Sequence, residues 1–389
     1  MKSETTTAQT KEKWPIPEEG LWGFAHCGFF DTWYPWSHIS YEERLLRLIS
    51  DIKESGANSF RPQIHWHQVE PVMIEGVFSL DDATDDLIEA YSRGELDVHW
   101  EKYDLMVDEL AKAGLEPHLV IAAAYTFQVP NAHIRGTFKR ATPDNIGATR
   151  YIALAYLHAR AAVRRYKGRV HIWQIENELN AAGETLLVAR WRSGSAWLDW
   201  GFLTELIDAL SLAVKQEDPS ALRSHNFSLR PLLWRDDILR WRQFLDIIGI
   251  DPYPNYVFGF PERGKSVGGK VRDTVSLSAG KPVMVLESGY PVRPARRGYS
   301  EGRQAAYIRN AISSTFESGG RGFYYYEICS PEGFPVEGPW SDKFFQSIEP
   351  WWGLVGKDDT KRPGFFQFKK TIGEIRKRLR GGTPVMETP

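Results

Sequence analysis

Eight short apolar runs, each followed by an amphipathic stretch, leave this 389-residue chain few folds to choose from. The runs fall near 21–25, 57–60, 116–122, 170–175, 222–226, 247–250, 283–286 and 322–326. The amphipathic stretches lie at 42–55, 100–113, 145–166, 197–216, 235–244, 267–279, 304–318 and 364–378. A run that is apolar on both faces suits a strand buried between layers, and strands that alternate with helices form parallel sheets. Eight such units match a (β/α)8 TIM barrel of the α/β class. Gly56 and Gly114 stand where helices should stop, and Asp218-Pro219 and Gly319-Gly320 mark two more returns to a strand. The sixth and eighth helices have the weakest patterns, one diluted by Gly268-Gly269 and the other mostly basic. No linker, composition shift or repeat divides the chain, so 14–389 is read as one domain behind a flexible polar tail over 1–13. Two connections are long, 62–98 after the second strand and 329–362 after the eighth. Both leave the C-terminal ends of strands, the side on which barrels carry their sites, so both are expected to shape a cleft.

Charge narrows the partners. With 48 basic and 50 acidic residues and no long basic run, neither nucleic acid nor an anionic membrane is expected. No apolar run approaches the about 20 residues that span a bilayer. The polar start has no signal-like apolar segment, which leaves open a cytoplasmic chain as encoded or a secreted one after signal removal. Fifteen Trp, sixteen Tyr and twenty Phe serve either as a large aromatic core or as flat, polar-edged platforms for sugar rings. Cys27 and Cys329, the two cysteines, follow the first and eighth strands, which adjoin when a barrel closes. They are read as free buried thiols in places that leave open whether they pair.

Two glutamates are out of place for packing. Glu178 closes Gln174-Ile175-Glu176-Asn177-Glu178 and Glu287 follows Pro282-Val283-Met284-Val285-Leu286, each at the end of an apolar run. A carboxylate at the C-terminal tip of a buried strand suits chemistry. Two of them, distant in sequence, suggest the acid and nucleophile of glycoside hydrolysis. Asn177 would donate to a sugar hydroxyl beside the reaction centre. Glu176 would point the same way as Glu178 if the strand stays extended, as a supporting or substrate-binding carboxylate.

On these residues the chain resembles clan A glycoside hydrolases, the retaining (β/α)8 enzymes with an acid/base after strand four and a nucleophile after strand seven. The resemblance spans about 22–378 and rests on Asn177-Glu178, Leu286-Glu287-Ser288-Gly289-Tyr290-Pro291, Arg61, Asp251-Pro252-Tyr253-Pro254 and Trp351-Trp352-Gly353-Leu354. It implies that Glu178 is the acid/base and Glu287 the nucleophile, that Arg61 bonds Glu287 and keeps it ionised, and that Tyr253 donates its hydroxyl to Glu287. Leu179 departs from the usual Pro, and at strand eight Phe323-Tyr324-Tyr325-Tyr326-Glu327 replaces the usual Trp. Tyr326, Glu327, Trp340 or Trp351 would then form the sugar platform. His26, His65, Trp66 and His67 follow strands one and two, and His65-Trp66 is the favoured sugar-binding pair. No metal is expected, because His65 and His67 lack a third ligand at suitable spacing.

The expected protein is a monomeric, cofactor-free retaining β-glycosidase acting on a β-mannan, β-glucan, β-galactan or small β-glycoside. The rivals are a transglycosylase with the same pair, a catalytically silent sugar-binding barrel, and a barrel lyase or aldolase. The last lacks an evident Schiff-base lysine or metal set.

Overall fold

The computed structural model describes residues 16–25, 38–121, 128–181, 194–229, 232–254, 264–330, 348–356 and 358–381. Eight parallel strands close a barrel: β1 (Leu21–Ala25), β2 (Ser59–Arg61), β3 (Glu116–Ile121), β4 (Ile172–Ile175), β5 (Leu222–Ser228), β6 (Ile247–Asp251), β7 (Val283–Ser288) and β8 (Gly322–Tyr326). Each pairs with its sequence neighbours, and β8 returns to β1 from Leu21↔Gly322 to Ala25↔Tyr326. Eight helices surround them: α1 (Tyr41–Glu54), α2 (Glu101–Ala113), α3 (Ala148–Tyr166), α4 (Trp200–Glu217), α5 (Trp234–Trp241), α6 (Lys265–Leu277), α7 (Glu301–Glu317) and α8 (Pro363–Arg380). The alternating pattern of the sequence is the pattern of the fold. None of these helices is long and apolar enough to cross a membrane.

Local signals explain the boundaries. Ser40 and Ser300 accept the N–H groups of Glu43 and Arg303 at the starts of α1 and α7, and Asp199 accepts that of Gly201 at the start of α4. Gly114 ends α2 at φ 69°, a left-handed value that glycine adopts without a Cβ clash. The glycine pair in α6 has a packing cause. A Cβ on Gly268 would lie 2.8 Å from Ser318 Oγ and 2.9 Å from Ser314 Cβ, so glycine lets α6 sit against α7. Gly269 meets only Arg272 Nη2, at 4.0 Å. Gly268→Ala is therefore expected to cost about 1–3 kcal/mol through overpacking. Gly269→Ala should add about 0.5–1 kcal/mol by removing glycine's backbone freedom. Urea denaturation of the two variants checks the contrast in sign.

The barrel interior changes character along its axis. Leu21, Ala25, Ile172, Ile247, Met284, Leu286 and Tyr324 pack together inside, while Trp22, Phe24, Phe60, Trp173, Ile248 and Val285 belong to the layer shared with the helices. Polar groups inside the barrel bond one another. His118 Nε2 meets Ser224 Oγ at 2.6 Å, and the Tyr324 hydroxyl meets Ser59 Oγ at 2.8 Å and His118 Nδ1 at 3.2 Å. Burial, and secondarily the Arg61 charge, hold His118 well below its ordinary pKa, so it is neutral. Arg61, Gln174 and Asn226 each stand two residues beyond an inward-facing position, closer to the strands' C-terminal ends.

Two insertions differ from expectation. The segment after β2 is not an open loop. It holds short helices Trp66–Val69 and Leu80–Asp82 and a longer one, Asp85–Arg93. Arg160 and Arg164 of α3 bond Asp85 at 2.8 and 3.1 Å, so this part covers the outside of α3. That cover explains why α3 is buried over most of its length. After β3, an unanticipated hairpin pairs Asn131–Ile134 with Thr137–Arg140. Its turn is Arg135-Gly136, at φ 48° and 79°. The tail at 1–13, His26, Cys27 and Trp340 lie outside the described residues, and so does any contact between Cys27 and the buried Cys329.

Candidate active site

A bulge aims Glu287. Val285 pairs with Phe323 but Ser288 pairs with Tyr325, so β7 has one residue more than β8 between these contacts. Strict alternation from Met284 and Leu286, which face the interior, would turn Glu287 outward. The extra residue reverses this, as bulges beside functional sites do. Ser288 Oγ then meets the Tyr307 hydroxyl of α7 at 2.6 Å and donates to Pro252 O at 3.1 Å, tying the tip of β7 to the segment after β6.

Glu287 is held through both oxygens. Arg61 Nη1 donates to Oε2 at 3.2 Å, and the Tyr253 hydroxyl donates to Oε1. Arg61 is 1% exposed and its other nitrogens are engaged as well: Nε donates to Gln174 Oε1 at 2.6 Å and Nη2 to Asn177 Oδ1 at 2.8 Å. One guanidinium thus joins the tips of β2, β4 and β7.

Glu178 is reached by a sharp departure from the strand. β4 ends at Ile175, and Glu176 and Glu178 have φ of 55° and 47°. Such left-handed values are uncommon without glycine and cost on the order of 1–3 kcal/mol each. The extended continuation that would have aligned Glu176 with Glu178 is therefore not formed, and Glu176 is fully buried while Glu178 is half-buried. Asn226 of β5 accepts the Glu178 N–H at 3.0 Å.

The electrostatics set an acidic cluster against one buried cation. Burial pushes Glu287 above the usual carboxylate range. The Arg61 charge opposes this, Glu178 adds to the rise, and the Tyr253 and Arg61 hydrogen bonds oppose it again. Arg61 and Tyr253 therefore limit an upward shift without reversing it. Asp251 is raised further, by burial and then by Glu287 and Glu178, and Glu327 by burial and then by Glu287. In both, burial and the neighbouring carboxylates favour the protonated form. Among the described residues no group of three or more His, Cys, Asp or Glu is placed to hold a metal ion.

The aromatic residues divide. Tyr326, half-buried at the tip of β8, lies edge-on to Tyr253 and Trp352 at 6.4 and 6.0 Å, and Trp352 meets Tyr253 at 5.6 Å. Trp352, not Trp351, thus backs the tyrosine that holds Glu287. Trp351 carries the Arg293 guanidinium over its ring at 4.7 Å. Trp66 is a core residue, contrary to its expected sugar-binding role. It is 1% exposed, donates to Glu70 Oε2 at 2.8 Å and stacks at 5.5 Å on His158. Glu70 also accepts from the Tyr91 hydroxyl and the Ile74 N–H, yet burial pushes it up to about 7. Burial lowers His158 to about 3. His65 is buried too, its N–H donating to the Tyr103 hydroxyl at 2.8 Å and its ring 6.0 Å from that of His67. Gln174 and Asn226 were not among the expected site residues. Polar side chains at alternate, inward positions of apolar strands are the signal that marks them.

No protein-family model matches the chain, and no curated protein matches it in sequence. Solved structures match it in three dimensions. Fpglu1 from Fervidobacterium pennivorans aligns with a TM-score of 0.66 at 13% identity, covering 96% of this chain and all of that one. A variant of a GH5_18 protein from Streptomyces cattleya, in complex with Manβ1-4GlcNAc, gives 0.65 at 11% identity over 94% and 82%. The β-glucosidase of Pyrococcus furiosus gives 0.63 at 12% identity over 92% and 96%. With its closed eight-stranded parallel barrel, the chain has the fold of the clan A glycoside hydrolases.

Proposed function

We propose that the chain is a retaining β-glycosidase that cleaves a neutral β-linked sugar, of the mannan, glucan or galactan class, by double displacement. The observation that carries this reading is the asymmetry of two neighbouring carboxyls. Glu287, on β7, is held through both oxygens by Arg61 and Tyr253 and feels the charge of Glu178, which follows β4. In this reading a Glu287 oxygen attacks the anomeric carbon while the bond to the glycosidic oxygen breaks, and Glu178 gives that oxygen its proton. Glu178 then takes a proton from water. The water oxygen attacks the anomeric carbon, and Glu287 leaves as a carboxylate.

Asn177 Oδ1 accepts from Arg61 and Asn226, which turns its NH2 group away from both; in this reading that group donates to a sugar hydroxyl. Tyr326 offers a half-buried ring beside Tyr253 as the sugar platform. Resemblance in fold to β-glucosidases and to the protein solved with Manβ1-4GlcNAc favours β-linked gluco- or manno-configured substrates.

A panel of aryl β-glycosides and β-polysaccharides, followed by proton NMR of the first product, tests the reading. The β anomer should appear first, and a 2-deoxy-2-fluoro-glycosyl fluoride should label Glu287. An α anomer first would mean inversion. Transfer products prevailing over hydrolysis at high substrate would mean a transglycosylase, and neither turnover nor labelling would leave a sugar-binding barrel.

A further inference from the structure

The geometry points to Asn226 as a positioning residue for Glu178, acting from the neighbouring strand by fixing the turn that carries the acid/base. The inference rests on the reading of Glu178 as acid/base. It starts from a polarity that Arg61 imposes, since a guanidinium only donates. Arg61 Nε therefore faces Gln174 Oε1, at 2.6 Å, which turns Gln174 Nε2 toward Asn226 at 2.6 Å and toward Glu176 O at 2.7 Å. The atom of Asn226 that receives Gln174 must then be Oδ1, and the same oxygen accepts the Glu178 N–H at 3.0 Å. Asn226 Nδ2 is left facing Asn177 Oδ1 at 2.8 Å and Asp251 Oδ2 at 2.5 Å, both acceptors. Asn177 Oδ1 in turn accepts from Arg61 Nη2, closing the circuit on the cation that began it. Each amide thus has one orientation in which every contact pairs a donor with an acceptor.

Asn226 is fully buried and grips the catalytic turn twice, through the Asn177 side chain and the Glu178 backbone. The turn needs a grip. Glu176 and Glu178 both have left-handed φ, so an unrestrained chain would relax toward other conformations and carry the carboxyl of Glu178 with it. Glu287 has anchors outside this circuit, the Tyr253 hydroxyl and, through Ser288, the bonds to Pro252 and Tyr307. Loss of Asn226 should therefore misplace the proton donor more than the nucleophile.

Leaving-group dependence separates these effects, because a 2,4-dinitrophenolate departs without a proton and a 4-methoxyphenolate needs one. kcat/KM for the two aryl β-glycosides, made on the sugar turned over fastest in the panel, should fall in Asn226→Ala about 100-fold for methoxyphenyl and less than about fivefold for dinitrophenyl. Glu178→Ala, measured alongside, should show the same selectivity more strongly, with azide raising its kcat. The dinitrophenyl rate itself reports a folded site, and Asn226→Ser, whose hydroxyl is too short to span both partners, serves if the alanine variant does not fold. An equal loss on both substrates, or no loss on either, overturns the assignment of Asn226. If Glu178→Ala shows no selectivity, the acid/base reading itself fails.

Discussion

Glu287→Ala is expected to lower kcat by about four to six orders of magnitude while leaving the barrel folded. The substitution removes the only protein group in the proposed mechanism that bonds to the anomeric carbon. Residual turnover would have to come from binding and from Glu178 alone. Azide or formate should enter the vacated space and restore turnover, giving a product of inverted configuration, because the small anion attacks the face that Glu287 had occupied. Activity within tenfold of the parent would sink the nucleophile assignment. The isosteric Glu287→Gln makes a second, thermodynamic statement. Glu287 has its folded pKa raised, by burial first, so its contribution to stability is fully present below the unfolded carboxylate pKa. That contribution is lost as pH rises through the folded value. The parent should therefore lose stability relative to Glu287→Gln as pH climbs from about 4 to 8, and thermal melts across that range read the difference. A carboxylate kept where it lowers stability is the signature of a group retained for chemistry.

The barrel was legible because each strand is an apolar run and each helix carries its own punctuation. Glu178 and Glu287 stood out as candidates because a charge at the end of such a run has no packing rationale. What could not be read is instructive. The hairpin at Asn131–Arg140 has mostly exposed strands and an Arg-Gly turn, so neither apolar alternation nor an Asn-Gly signal announces it. Trp66, set between two histidines, looks the same whether it faces a cleft or a core. Its partner Glu70, four residues on in the short helical segment, takes its N–H and decides the matter. At least seven of the fifteen tryptophans are fully buried, so aromatic abundance chiefly reported packing. The bulge that turns Glu287 inward lies in the pairing of two strands, and no single strand's sequence contains it. Ser224, Asn226 and Ser228 alternate with His225 and Phe227 along β5. That period-2 polarity was present in the sequence and marks a strand whose inner face is polar near its end.

Arg61→Ala should have the second-largest effect, and its cause is the number of acceptors that depend on one side chain. The guanidinium donates to Gln174, Asn177 and Glu287 from a position 1% exposed. Removing it leaves the Glu287 carboxylate buried without its cation and releases the amides that orient the Glu178 turn. Breaking a buried pair in this way typically costs about 3–5 kcal/mol. Loss of the electrostatic contact should lower kcat/KM for an activated aryl glycoside by about 100- to 1,000-fold. Arg61→Lys is expected to recover little, because a single ammonium lacks the fork that reaches three acceptors at once. The pH profile supplies a sign that misfolding would not. Arg61 lowers the Glu287 pKa against the rise from burial, so without it the pKa must climb. The acid limb of kcat/KM, which tracks ionisation of Glu287, should then move to higher pH in Arg61→Ala. An unmoved or lower limb would mean that Glu287 is not the group whose ionisation the rate follows.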